Sequence, residues 1–203
     1  NSNVNKMGEA SRWWLHHSLS NLNKKLGGKI SFYNGDPKEI FNKLSEQYDV
    51  KSIYWNRCYE PWRIKRDKDL KKDLEEKNIH IKTHNGSLLW EPWTVLKNDG
   101  TPYRVFSPYY KRGCLEAPAP REPIQEPSLS NIVSNLFDSL SLDDLDLLPD
   151  VGWYEDMESL WSPGEDGAKE KLHKFLDYGL LGYKEGRNFP SRENVSQLSP
   201  HMH

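Results

Sequence analysis

The chain has 203 residues, and its 28 basic and 30 acidic side chains give a formal net charge of −2 at pH 7. Charges this evenly balanced exclude a global field that would draw the whole chain onto nucleic acid or an anionic membrane, so any contact with DNA must be a local patch. Two cysteines are too few for a disulfide framework, and no apolar run is long enough to span a bilayer, so we expect a cytoplasmic protein with no membrane partner.

The first predicted element is a helix that ends at Gly27-Gly28. Its apolar side chains recur at helical spacing and should form its buried face: Leu15, Leu19, Leu22 and Leu26. A short strand is predicted at Ile30 and Phe32, which alternate with polar residues. A second helix should follow Asp36, because an aspartate N-cap, a proline at the first helical position and Glu39 form a helix-start signature. This helix is expected to bury Ile40, Phe41, Leu44 and Tyr48.

Two β-like runs come next, Ile53-Tyr54-Trp55 and Ile79-His80-Ile81, with a charged helix from about Pro61 to Lys77 between them. Strands separated by a helix in this way are typical of right-handed crossovers in a parallel sheet. The predicted fold class is therefore α/β, with a parallel Rossmann-like sheet and flanking helices. The charged helix is more typical of a solvated surface than of a DNA-binding face, because acidic residues interleave with its basic ones.

The end of the first of these runs, Ile53-Tyr54-Trp55, suggests a ligand site, because small ligands in an open α/β sheet bind beyond the carboxyl ends of the strands. The candidate residues are Trp55, Asn56, Arg57 and Glu60. Asn56 and Glu60 can hydrogen-bond a heterocycle, and Arg57 can neutralise an anionic tail. Trp55 or Tyr59 can stack on a ring. The structural alternative is that Glu60 caps the following helix and Trp55 fills the core.

Residues 112–152 combine closely spaced prolines with a run rich in Ser and Asp, which predicts an extended linker with short helical turns at Ile132–Phe137 and Leu142–Leu148. Ser162-Pro163-Gly164-Glu165 then indicates a capping box that opens a helix. The apolar face of this helix should comprise Ala168, Leu172, Phe175, Leu176, Gly179 and Tyr183. Arg187, just past the helix, either contacts an anion or caps the last carbonyl groups.

Ser199-Pro200 indicates another helix start, because a serine oxygen can accept an orphan backbone N–H and proline has no N–H to lose. Together with Ser196, this start offers N–H groups and two hydroxyls, which suits a phosphate. The alternative is an ordinary capped helix after a loop. The seven histidines show no zinc-like spacing, so no metal is predicted.

The C-terminal segments Tyr183–Pro190 and Asn194–His203 are similar to the flavin-binding entry of the DNA photolyase/cryptochrome family, through Tyr-x-x-x-Arg-Asn-x-Pro and Val-Ser-x-Leu-Ser-Pro-His-x-His. The block Ala10–Leu19 resembles the first helix of bacterial class I deoxyribodipyrimidine photolyases. Further blocks match in family order at Tyr54–Pro61, Asn85–Leu89, Val105–Tyr109 and Trp161–Glu165. These blocks extend from about Ala10 to the last residue, outside a divergent middle, so the resemblance is specific.

The resemblance implies an FAD cofactor whose contacts in this chain would be Tyr183, Val195, Ser196, Gln197, Leu198 and Ser199. Two of these positions depart from the family pattern: Val195 stands where threonine is common, and Gln197 where a basic residue is common. Phosphate binding should therefore depend more on backbone N–H groups and on the serines. The resemblance also implies an antenna chromophore in the α/β domain, either methenyltetrahydrofolate or 8-hydroxydeazaflavin.

The implied function is light-driven repair of cyclobutane pyrimidine dimers in ultraviolet-damaged DNA, by electron transfer from reduced FAD in a full-length monomer. The alternatives are a cryptochrome light receptor without repair activity and, more distantly, a nucleotide-binding α/β protein without light chemistry. The implied domains are an antenna-binding domain at 1–111 that lacks its first strand, the linker at 112–152, and the beginning of a helical FAD domain at 153–203. We therefore expect a fragment that contains no catalytic residue, retains FAD weakly and aggregates.

Overall fold

The computed structural model describes residues 7–202, and these form two compact units. One unit comprises the described residues up to Asn34 together with those from Leu129 onward, and the other comprises Gly35–Ser128. Within residues 7–202, no helix combines the length and the apolar character that crossing a membrane requires.

The elements follow one another along the chain as a series of helices with two strands near the middle. In chain order they are α1 (Glu9–Lys25), α2 (Pro37–Gln47), β1 (Ser52–Asn56), α3 (Pro61–Glu76), β2 (His80–His84), α4 (Phe106–Pro108), a π-helical turn (Tyr109–Cys114), a 3-10 turn (Asp143–Leu145), α5 (Glu155–Leu160), α6 (Glu165–Lys174), a second π-helical turn (Phe175–Gly179), α7 (Tyr183–Gly186) and α8 (Ser199–Met202).

The unit Gly35–Ser128 contains the predicted β-α-β arrangement. β1 and β2 pair in parallel, from Ser52 opposite His80 to Asn56 opposite His84, and α3 connects them. The core cluster consists of Leu70 and Leu74 on α3, Ile79 just before β2 and Ile81 within it. The side chains that pack against it are Phe41, Val50, Ile53 and Trp55. The helix start at Asp36 is confirmed too, because its carboxylate accepts a hydrogen bond of 2.7 Å from the Lys38 N–H. The α/β fold class is therefore confirmed.

The strand predicted at Ile30 and Phe32 is wrong, because only a single antiparallel bridge forms there, between Phe32 and Leu140. The Leu140 N–H donates to the Phe32 carbonyl at 2.8 Å, and the Leu136 N–H donates to the Ser31 hydroxyl at 3.2 Å. This segment therefore pairs with the predicted linker instead of with the sheet.

In that linker the helical turn expected at 132–137 is absent, and the one expected at 142–148 is the short 3-10 turn Asp143–Leu145.

Helix α1 ends as predicted, where Gly27 and Gly28 adopt φ angles of 66° and 74° that favour glycine. Its buried side chain is Trp13, at 1% exposure, whereas Leu22 on the predicted leucine face is 48% exposed. The reason is that α1 makes its contacts through the neighbouring face. There Asn21 donates to the Pro163 carbonyl at 3.3 Å. Other contacts of this face join Trp14 to Trp161, His17 to Glu158, and Lys25 to Asp166.

The helix predicted from Ser162 begins two residues later than a Ser162 cap requires and stops earlier than expected. Its N-cap is Gly164, with a φ of 107°, and no side chain caps it. The Glu165 carboxylate pairs with Lys25 and Lys169, at 3.4 and 3.0 Å, instead of closing a capping box. A π-helical turn follows α6, and a new helix, α7, begins at Tyr183.

The two compact units divide the chain differently from the predicted domain borders at 111 and 153. α1, assigned to the first domain, contacts residues 158–166 of the last one. The first part of the predicted linker lies with the sheet, because Trp90 Nε1 donates to the Pro118 carbonyl at 2.9 Å and Arg121 donates to the Asn85 carbonyl at 3.1 Å. The domain borders implied by the family resemblance stay a prediction.

Candidate functional site

A cavity of about 260 Å³ lies within Gly35–Ser128 at the carboxyl end of β1, where an α/β sheet is expected to bind small ligands. Its lining includes the aromatic and cationic side chains of Trp55, Tyr59, Trp93, Arg57, Lys68 and Lys71, together with Asp67, whose carboxylate pairs with Arg66 at 2.7 Å. Two of the four candidate residues predicted for this region, Trp55 and Arg57, therefore line the cavity. A planar ligand with a negative charge suits such walls, because rings stack on aromatic faces and cations attract anions.

Arg57 is already held by protein groups. Its Nε and a terminal nitrogen lie 2.7 and 2.6 Å from Glu91 Oε1, and its other terminal nitrogen donates to the Thr83 carbonyl at 2.7 Å. Burial lowers the pKa of Arg57, but hydrogen bonds to Glu91 and Tyr59 outweigh burial and raise the pKa on balance. Arg57 thus has a structural role in the cavity wall, because its charge is paired with Glu91. Lys71 pairs with Glu75, so that within residues 7–202 Lys68 is the lining cation that makes no ion pair.

Asn56 and Glu60 lie outside the cavity lining. The Asn56 amide packs so closely on Gly86 that a Cβ at Gly86 would overlap it. Glu60 occupies the N-cap position of α3 without a side-chain cap hydrogen bond, and its carboxylate lies 3.4 Å from Arg63. Glu60 thus occupies the capping position that the structural alternative predicts, but its side chain does not make the capping hydrogen bond. Trp55 fits both the structural and the functional prediction, because it packs on the core and also lines the cavity.

The second predicted site lies in the other unit, where the C-terminal segment Val195–Ser199 folds beside α6 and α7. Its Leu198 N–H donates to the Ser196 hydroxyl at 3.4 Å. Among the described residues no protein acceptor receives the remaining N–H groups, those of Val195, Ser196, Gln197 and Ser199. The segment therefore carries backbone donors and two serine hydroxyls that can bind an anion.

The predicted cap at Ser199 is displaced by one residue. The N–H groups of His201 and Met202 donate to the Leu198 carbonyl at 2.9 and 3.1 Å, so Leu198 is the residue whose carbonyl starts the helix. Gln197, with a φ of 53°, turns the chain immediately before it. Tyr183, predicted on a buried face, is 39% exposed, and its hydroxyl accepts a hydrogen bond of 3.3 Å from Arg187.

Sequence reasoning missed a cation at this segment. Lys171, on α6, donates to the Gln197 side-chain oxygen at 2.8 Å and lies 5.0 Å from the centre of the Trp161 ring. Within residues 7–202 no carboxylate pairs with Lys171. A positive charge is thus present beside position 197, although the residue there is neutral. No local signal in the sequence indicates this, because the two residues lie 26 positions apart.

An aromatic cluster supports the start of α8. The His201 ring lies 4.9 Å from the ring of Trp14 and 6.3 Å from that of Trp161, measured between centroids. Burial lowers the pKa of His201, a hydrogen bond to the Gly164 carbonyl raises it, and the charge of Lys171 lowers it, so that the pKa falls on balance. His201 therefore packs on α1 and on the residue that follows α5, and its hydrogen bond to Gly164 joins it to the start of α6.

Comparison with protein families gives one match, to the family described as DNA photolyase, over residues 1–128. A deoxyribodipyrimidine photo-lyase of Agrobacterium fabrum is 36% identical over 202 residues, which are 97% of this chain and 42% of that protein. Cryptochrome-1 of Arabidopsis thaliana is 30% identical over 203 residues, which are 97% of this chain and 29% of that protein. The chain thus spans less than half the length of these relatives.

Among solved structures, a bacterial class III photolyase from Agrobacterium tumefaciens is similar over 99% of this chain and 42% of its own, with a TM-score of 0.88 and 34% identity. The subclass of that protein differs from the class I whose first helix the Ala10–Leu19 block resembles. The similarity extends over both compact units, so the α/β region and the C-terminal helices each have a counterpart in that protein.

Proposed function

Because this chain belongs to the DNA photolyase family, we propose that the protein is a deoxyribodipyrimidine photolyase, a carbon–carbon lyase that binds FAD and uses light to repair cyclobutane pyrimidine dimers in DNA. When bound, reduced FAD would supply, on excitation by light, an electron that splits the dimer and then returns to the flavin. The chain's own residues bind and orient this cofactor. The observation that carries the proposal is the donor set of Val195–Ser199, in the segment that resembles the family's flavin-binding entry.

These donors fit a phosphate group by number and by charge. The free N–H groups and the serine hydroxyls can each donate to a phosphate oxygen, with a net contribution of about 1 kcal/mol, or ~2 kcal/mol where the acceptor is charged. Lys171 adds a positive charge beside Gln197, at the position where the family resemblance led us to expect a basic side chain. Tyr183, the first residue of α7, and Arg187, which follows α7, are paired with each other.

The decisive experiment uses the whole gene product. After purification we expect flavin absorbance, and under blue light we expect a thymine-dimer oligonucleotide to be repaired, whereas a sample kept in the dark should leave it intact. A protein that is purified without flavin, and takes up none on reconstitution, would contradict the proposal.

The second candidate function is a cryptochrome light receptor, because the identity to cryptochrome-1 is 30% over almost the same stretch of chain. The same assay separates the two functions: a receptor binds flavin and responds to light but leaves the dimer unrepaired. Family membership favours both of these functions over a nucleotide-binding protein without light chemistry.

We propose further that the cavity at the carboxyl end of β1 holds the antenna chromophore. Its aromatic walls suit a planar heterocycle and Lys68 suits an anionic tail. Replacing Trp93 by Ala should remove the antenna absorption band of the holoprotein while the flavin band persists. The matched control is Trp62→Ala, because Trp62 is exposed on α3 and lies outside the cavity lining. Loss of the band in both variants, or in neither, would contradict this placement.

A further inference from the structure

The side chain of Asn194 holds the segment Val195–Ser199 against the turn that precedes α7. Its Nδ2 donates a hydrogen bond of 2.9 Å to the carbonyl of Gly179, the last residue of the π-helical turn Phe175–Gly179. A helical turn that ends leaves carbonyl groups without helical donors, so a side-chain amide at this place satisfies one of them. The hydrogen bond joins residues 15 positions apart and precedes Val195 directly.

Asn194 fits only because glycines surround it. A Cβ on Gly182 would lie 2.8 Å from Asn194 Nδ2, and a Cβ on Gly186 would overlap the Asn194 amide. At Gly179 a Cβ would lie 2.9 Å from the carbonyl oxygen of Glu193, the residue before Asn194. A side chain at Gly182 or Gly186 would therefore displace the Asn194 amide, and one at Gly179 would displace the Phe175 ring or the Glu193 backbone.

Residues on both sides of Asn194 also contact α6, which holds the segment Val195–Ser199 against that helix. Lys174 lies 3.1 Å from the Glu193 carboxylate, and Lys171 lies 2.8 Å from the Gln197 side chain. Both of these pairs are exposed to solvent, where such contacts contribute little. The half-buried hydrogen bond of Asn194 is therefore the contact that fixes where Val195–Ser199 begins.

We propose that Asn194 is a positioning residue which, seated against Gly179, Gly182 and Gly186, fixes the donors of Val195–Ser199 in the arrangement that binds the FAD phosphates. This inference rests on the proposed function, because it assigns the flavin to that segment. Asn194 acts through its neighbours. Its amide is engaged with the Gly179 carbonyl, and it does not itself have to contact the cofactor.

The test compares Asn194→Ala with Asn194→Asp in the whole gene product. The aspartate keeps the shape of the side chain but cannot donate to the Gly179 carbonyl, so both variants should weaken FAD binding by about tenfold. Asn131→Ala is the matched control, because Asn131 is exposed in the same unit and its side chain makes no hydrogen bond with any of the residues 7–202. The melting temperature of the apoprotein should change by less than about 3 °C in all three variants. A loss of FAD affinity at an unchanged melting temperature then reports a positioning role instead of a general loss of stability. Unchanged FAD affinity in Asn194→Ala would overturn the proposal.

A double-mutant cycle tests the fit to the glycines. Gly186→Ala should weaken FAD binding in the presence of Asn194, because the new methyl group overlaps its amide. In an Asn194→Gly background the same substitution should have almost no further effect, because nothing remains to be displaced. Equal effects of Gly186→Ala in both backgrounds would show that Asn194 does not occupy this position.

Tryptic cleavage after Arg192 provides a measurement that does not depend on FAD. In the apoprotein, Asn194→Ala should accelerate this cleavage severalfold, whereas cleavage after Arg121 in the other unit serves as an internal reference. If the wild-type protein binds no FAD but the variant is cleaved faster, the positioning role stands and the proposed function fails. If cleavage is unchanged, the positioning role fails whether or not FAD binds.

Discussion

Lys171 gives the C-terminal segment a charge that its own sequence lacks. The ammonium group is held by a neutral amide oxygen and an aromatic face, at 2.8 Å from Gln197 and 5.0 Å from the Trp161 ring. Neither partner cancels the charge, so it remains available to an anion. In a photolyase site this residue would replace the basic side chain expected at position 197.

Replacing Lys171 by Gln should therefore weaken FAD binding by about tenfold or more, because a charged hydrogen bond to phosphate is lost. Lys169→Gln is the control on the same helix, since its ammonium group already pairs with Glu165 at 3.0 Å. The dissociation constant is measured by flavin fluorescence at two salt concentrations. The salt dependence should be smaller in Lys171→Gln than in the wild type, and equal constants for the two variants would contradict the assignment.

His201 should make the stability of its unit depend on pH. Its pKa in the folded state lies below the ordinary value of 6.5, so between these two values the unfolded chain binds more protons than the folded one. The free energy of unfolding should therefore fall as the pH is lowered from about 7 to about 5. Urea unfolding of His201→Gln should show a smaller decrease than the wild type. His173→Gln, an exposed position on α6, should keep the full decrease, and a slope unchanged in His201→Gln would contradict the prediction.

At the scale of elements, Arg57 and Glu91 connect the end of β1 with the loop that follows β2. The Glu91 carboxylate accepts from both Arg57 and Tyr59, and its side chain is only 16% exposed. The cavity wall is thus built from residues that belong to different elements. Two of these residues, Arg57 and Tyr59, line the cavity, and Glu91 holds both of them in place.

Replacing Glu91 by Ala should lower the free energy of unfolding by about 1–3 kcal/mol, because Arg57 and Tyr59 lose their shared acceptor in a half-buried place. The antenna absorption of the holoprotein should decrease as well. Glu60→Ala is the control: its carboxylate is 52% exposed and 3.4 Å from Arg63, so its removal should change stability by less than about 1 kcal/mol. Similar losses in both variants, measured by urea unfolding, would refute the special role of Glu91.

At the scale of the whole molecule, the unit that contains Val195–Ser199 exposes apolar side chains close together in sequence. Leu181 is 96% exposed, Tyr178 76% and Leu176 50%. Apolar surface of this kind tends to associate with other apolar surface, because burying it releases ordered water. Within the proposed flavin segment, Val195 is 44% exposed, so the described residues do not cover it.

Residues 1–203 alone should bind FAD with a dissociation constant weaker than about 1 μM, because a few phosphate hydrogen bonds must offset the lost freedom of the ligand. Titration followed by flavin fluorescence measures this constant. Micromolar or tighter binding by a monomer would contradict this prediction, because it would show that residues 1–203 suffice to hold FAD.

The same polypeptide should self-associate at micromolar concentration, which sedimentation velocity detects. Leu181→Lys should reduce association, because a charge on the exposed apolar surface must be desolvated when copies meet. The comparison is Ile124→Lys, at a side chain that is 83% exposed in the other unit. If both substitutions reduced association equally, the surface around Leu181 would not be its cause.

The sequence by itself determined α1, α2, α3 and the two parallel strands. It could do so because apolar spacing, glycine stops and the Asp36 cap act between residues only a few positions apart. The resemblance added the family. Its blocks Ala10–Leu19 and Tyr54–Pro61 lie where α1 and β1 fold as expected, whereas the helix starts predicted in Trp161–Glu165 and Asn194–His203 are displaced. Two of the residues predicted at the end of the first strand, Trp55 and Arg57, line the cavity, and their role in binding stays a prediction.

Only the tertiary structure decided which side chains complete the two candidate sites. Glu91 meets Arg57 across 34 positions, Lys171 meets Gln197 across 26, and Asn194 meets Gly179 across 15. No periodicity or cap signals such pairs, because each depends on how loops and helices pack. The same reason explains the failed strand at Phe32: its backbone hydrogen bond goes to Leu140, which local alternation of polar and apolar residues cannot reveal.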